Sequence, residues 1–96
     1  MNNYILLMHD DGGDSNPDDW EAYITKLNTA GNFQGGSSIG KGICVSKSGD
    51  SAAITGQLSG YMRISAENLE DAKKLIVGNP VFEAGGTVEI RELPKS

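Results

Sequence analysis

The densest group of side chains that could do chemistry is a row near the N-terminus: His9, Asp10 and Asp11, with Asp14 shortly after. An imidazole beside carboxylates at the mouth of a strand suits proton transfer or metal coordination. His9 is the sole histidine and Cys44 the sole cysteine, so a zinc site would have to lean on carboxylates. The calcium-loop pattern D-x-[DN]-x-[DN]-G-x5-E cannot be placed on Asp10–Asp19. No metal is expected. Acid–base work by His9 or Asp10 stands against a plainer reading, a solvated acidic loop that spaces a strand from a helix.

A second stretch invites a nucleotide. Gly35 to Lys41 match the first seven positions of the phosphate loop G-x-x-x-x-G-K-[ST]. The eighth is Gly42, which has no hydroxyl for magnesium, and Ile43-Cys44-Val45-Ser46 beyond it alternates instead of opening a helix. A helix rather than a strand precedes the motif. The match is therefore a by-product of a Gly- and Ser-rich strand and turn, and no cofactor is expected. Ser37 and Ser38 could donate hydrogen bonds to a ligand or cap a strand end. Trp20 and Tyr61 could line a pocket or fill a core. Cys44 has no base nearby in sequence and reads as a small buried strand residue.

These residues must be positioned by one small domain. The 96 residues are 38% hydrophobic and 22% charged, as in an ordinary globular protein. A net charge of −5, with eight scattered Lys and Arg, argues against nucleic acid or an anionic membrane surface as partner. No apolar run approaches the roughly 20 residues that span a bilayer. Tyr4–Met8 is too short for a secretory signal, and one cysteine fits a reducing compartment, so a cytoplasmic location is expected.

Tyr4-Ile5-Leu6-Leu7-Met8 reads as a strand covered on both faces. Asn16 as N-cap, Pro17 behind it, then Asp18 and Asp19, start a helix whose apolar stripe is Trp20, Tyr23, Ile24 and Leu27; Gly31 ends it. Ile43–Val45 and Ala52–Ile54 read as a hairpin about Lys47–Asp50, and Leu58–Ser65 as a strand. Asn68 caps a second helix with Leu69, Ala72, Leu75 and Ile76 as its stripe, stopped by Gly78-Asn79-Pro80. Thr87–Leu93 alternates as a last strand. The order predicts an α+β domain of split βαβ type with two helices on one face of an antiparallel sheet. The other face then needs cover, and self-association into a homodimer supplies it.

Several pieces together resemble the YCII-related family, which includes the "DGPF" proteins. "YILLMHDD" (Tyr4–Asp11) is similar to that family's opening strand, "AGNFQGGSS" (Ala30–Ser38) to its turn into the second strand, and Leu58–Leu93 to its G-Y strand, A-x-x-L-x-x-A helix and "GGTVEIR" end. The resemblance covers nearly the whole chain and implies a ferredoxin-like dimeric α+β barrel with pockets near the subunit interface. Some relatives carry an Asp–His pair proposed for catalysis, one acts on a chlorinated hydroquinone, and others accompany sigma factors of the extracytoplasmic class. Asp10 matches the strand-end acidic position, but the helix position of the His falls at or near Trp20, so the pair is incomplete. The "DGPF" loop is also missing; only Thr55-Gly56-Gln57 stands in its place. The expected protein is a homodimer with a pocket for a small molecule, drawing on His9, Asp10, Trp20, Ser37, Ser38 and Tyr61. It is either a lyase- or isomerase-like catalyst using His9 or Asp10, or a non-catalytic ligand-binding or sigma-factor-associated module.

Overall fold

The computed structural model describes residues 1–49, 54 and 56–95. Four strands, β1 (Asn2–His9), β2 (Phe33–Ser38), β3 (Leu58–Ala66) and β4 (Val88–Leu93), form one antiparallel sheet in the order β2-β3-β1-β4. Helices α1 (Pro17–Thr29), α2 (Leu69–Lys74) and the single turn α3 (Pro80–Glu83) connect them. The strand order and the connections are those of the expected split βαβ domain.

Each helix begins where an asparagine can cap it. Asn16 Oδ1 accepts from Asp19 N at 3.0 Å, and Asn68 Oδ1 accepts from Asp71 N at 2.8 Å. Asn79 Oδ1 accepts from both Val81 N and Phe82 N. In each case a side-chain oxygen satisfies a first-turn amide that has no carbonyl to bond. Pro17 and Pro80 follow their caps, where a missing N–H costs nothing.

The core forms between the helices and one sheet face. Tyr4, Leu6 and Met8 of β1 alternate inward, as do Met62 and Ile64 of β3, and meet Tyr23 and Leu27 of α1 with Ala72 and Ile76. Leu6, Leu27 and Ile64 are fully buried, each stabilising by about 1.5–3 kcal/mol on apolar transfer alone. The Tyr23 hydroxyl donates to Leu75 O at 2.7 Å, tying α1 to the end of α2. Burial raises the Tyr23 pKa, and the Asn79 amide beside it opposes that rise.

Three sequence readings change. The second strand is β2, a Gly- and Ser-rich segment with little intrinsic preference for a strand, not the predicted hairpin. Ile43–Val45 has no regular structure, with Ile43 and Val45 each 84% exposed and Cys44 half-buried; Ala52 and Ala53 lie outside the described residues. The second helix stops at Lys74, Leu69 is exposed instead of lining its buried stripe, and α3 adds a turn that Asn79-Pro80 initiates. On the other face of β1, where the sequence reading expects cover from a second copy, Ile5, Leu7 and His9 are half-buried.

Candidate small-molecule site

β1 ends in an irregularity that shapes a cavity. Met8 pairs with Gly60 but His9 pairs with Leu58, leaving Ser59 as the extra residue of a bulge. Ser59 Oγ donates back to Met8 O at 3.4 Å, and Asp10 N bonds to Gln57 O, where Gln57 takes a left-handed φ of 68°. The chain then turns away from the sheet as the loop Asp11–Ser15 before climbing into α1.

That loop is fastened at its base. Asp11 accepts from Thr87 N at 2.8 Å and from Thr87 Oγ1 at 2.6 Å, and Gly13 N donates to Ala84 O at 2.9 Å. These bonds from Thr87 hold the Asp11 carboxyl below its usual range. Gly12 lies so close to Gly86 that a Cβ would fall 2.7 Å from the Gly86 Cα, so only glycine permits the contact. Asp11, grouped by sequence with the possible acid–base residues, is thereby a fastening. At the helix start, Trp20 Nε1 donates to Ser15 Oγ at 3.2 Å, and the indole meets Tyr23 edge-on at 6.3 Å between ring centres.

Between α1 and the β1–β3–β2 part of the sheet lies a half-open cavity of about 510 Å³. Met8, Trp20, Ile24, Phe33, Met62 and Val81 form its apolar wall. Its floor includes two strand glycines, Gly36 and Gly60, which keep side chains out of the space beneath the helix. All six residues singled out from the sequence, His9, Asp10, Trp20, Ser37, Ser38 and Tyr61, line this one cavity.

They do not line it equally. Ser38 pairs with Gly60 on the helix side of the sheet, whereas Ser37 and Tyr61 pair with each other on the far side, as does Leu7 with Tyr61. Strand alternation therefore assigns the side chains of Ser37 and Tyr61 to the face away from the helices. His9 also leans that way. Its Nε2 lies 3.2 Å from Glu89 Oε1, and Glu89 is held from its other oxygen by Arg91 Nε at 2.8 Å. Arg91 first, then His9, keeps the Glu89 carboxyl below its usual range. The Glu89–Arg91 partnership was not foreseen, since Thr87–Leu93 shows only a strand's alternation. The two strand glycines carried a readable signal, because glycine inside a strand often marks a close approach.

The phosphate-loop match is excluded by position as well as by sequence. Gly35 to Ser38 belong to β2, and no helix follows Lys41. No helix among the described residues is long and apolar enough to cross a membrane.

No family model matches this sequence, and no curated protein matches it either. Among solved structures, the fold resembles that of 5-chloro-2-hydroxyhydroquinone dehydrochlorinase from Burkholderia phenoliruptrix AC1100, in complex with 2,5-dihydroxybenzoquinone. The TM-score is 0.57 at 13% identity, over 98% of this chain and 95% of that one. The likeness is one of fold: a small α+β domain with helices on one face of a four-stranded antiparallel sheet.

Proposed function

We propose that the protein is a YCII-related, cytoplasmic homodimer whose cavity beneath α1 binds a small molecule. The observation that carries this reading is the convergence of β1, β2, β3 and α1 on one half-open cavity with an apolar wall, edged by hydroxyls and carboxylates. A concave space that sets an apolar wall against polar groups is a common form of ligand site. The fold likeness to an enzyme that is found in complex with a small molecule supports it. The dimer is supported by the far face of the sheet, where Ile5 and Leu7 lie half-buried between the flanking strands while the helices pack on the opposite face.

Of the two roles, binding without proton transfer is the better supported. His9 is engaged with Glu89 towards the far face, and no histidine stands on α1 to pair with Asp10. A catalytic role as a lyase- or isomerase-like enzyme would fall to Asp10 as base, with His9 contributing only if its ring leaves Glu89.

Native mass spectrometry of the freshly purified protein tests the reading. A dimer carrying an extra small-molecule mass is the expected result. A monomer with no affinity for any small-molecule probe would overturn it.

A further inference from the structure

The charge around the cavity narrows what can enter it. None of the chain's Lys or Arg residues lines it, whereas Asp10 and Asp14 both do. Among the described residues neither carboxylate has an ion-pair partner. The one basic side chain on the rim, His9, is directed to Glu89. The start of α1, which could otherwise favour an anion, is followed at once by Asp18 and Asp19.

An anionic ligand would therefore lose water in this cavity without gaining a cation, and would face carboxylates at the mouth. The opposite charge fares better. An ammonium group could pair with Asp10 and Asp14 while its apolar body packs against Trp20, Phe33 and Met62. The overall charge of −5 also draws cations toward the surface.

We propose that this cavity selects small organic cations, amines carried on a flat apolar body, over neutral and anionic molecules of the same shape. The inference rests on the reading of the cavity as a small-molecule site and adds its ligand class. Two carboxylates on an exposed loop would define nothing by themselves. Here they edge a cavity whose aromatic and thioether wall can hold the rest of the molecule.

Three probes of nearly equal shape separate charge from fit: 2-phenylethylamine, 2-phenylethanol and phenylacetate. Binding to the whole protein is read from the fluorescence of Trp20, the only tryptophan, and checked by calorimetry. The amine is expected to bind tightest and the acid weakest. Asp10→Asn and Asp14→Asn should each weaken the amine about threefold, and together about tenfold, as expected of partly solvated ion pairs, with the alcohol unchanged. Gly60→Leu, which fills the floor, should abolish binding of all three; Ser38→Leu serves the same purpose if that variant does not fold. Phenylacetate binding as tightly as the amine, or an amine affinity untouched by the paired Asp→Asn change, overturns the proposal. Alcohol and amine binding equally, both lost when the floor is filled, would overturn charge selection and leave the small-molecule site standing. Failure of all three probes to bind overturns the proposal as well.

Discussion

Replacing Gly36 with alanine adds a single methyl group where the sheet has no space for one. A Cβ at that position would lie 2.6 Å from Tyr61 O, 3.1 Å from Met62 Cα and 3.3 Å from Met62 Cγ. The first two atoms are backbone of β3, a central strand whose other edge is paired to β1 through Leu7 and Leu6. Neither can recede without loosening that ladder. Overpacking of this kind costs about 1–3 kcal/mol. In a domain of this size each kcal/mol moves the midpoint by roughly 4–8 °C, so a fall of about 10 °C is expected. Gly42→Ala is the matched control, because nothing lies within 4 Å of its Cβ and its φ is not left-handed. There the alanine should be neutral or stabilise by up to ~1 kcal/mol through the unfolded chain. Thermal melts followed by circular dichroism compare the two. If Gly36→Ala melts with the parent protein, β2 does not pair with β3 in this register, and the floor of the cavity falls with it.

Asp11→Asn should destabilise the protein above pH 4 and flatten the acid limb of its stability curve. The Asp11 carboxyl titrates below its ordinary value of 3.8 in the fold, so its contribution is present above that value and is lost as pH falls through the lower one. Melting temperatures from pH 2 to 7 for both proteins check this, and parallel curves would refute it. Leu7→Asp places a charge in the middle of the sheet face away from the helices and should convert the proposed dimer to a folded monomer in light scattering. An unchanged mass would move the subunit contact elsewhere.

The readable parts of the fold are those that local chemistry decides. Asn16-Pro17 and Asn68 announce helix starts because each supplies an oxygen to an amide that would otherwise lack a partner. Trp20 to Leu27 shows its buried side by spacing, and Leu58–Ala66 and Val88–Leu93 by alternation. Gly35-Gly36-Ser37-Ser38 carries no such signal. It is a strand because β3 accepts it, and because Gly36 leaves its backbone close enough to pair. Ile43-Cys44-Val45 has the opposite character: Ile43 and Val45 are β-branched, yet the segment has no regular structure. The site was legible as separate residues at strand ends and on one helix, and the cavity that gathers them was not. Its floor is made by the absence of side chains at Gly36 and Gly60, and its polarity depends on Glu89 holding His9 from the last strand.

The position of β1 also sets the order in which this protein can be made. It is the first strand to leave the ribosome, yet its partners are β3 and β4, the last two. The nascent chain must carry Tyr4–Met8, its most apolar run, without a neighbour until synthesis has passed Ala66. The second edge of β1 stays open until Leu93 emerges. Helix α1 completes its turns long before then and offers its Tyr23 and Leu27 face as early shelter for that run. Pairing between distant segments is slow to nucleate, so refolding should be governed by the meeting of β1 with β3, with helix formation running ahead of it.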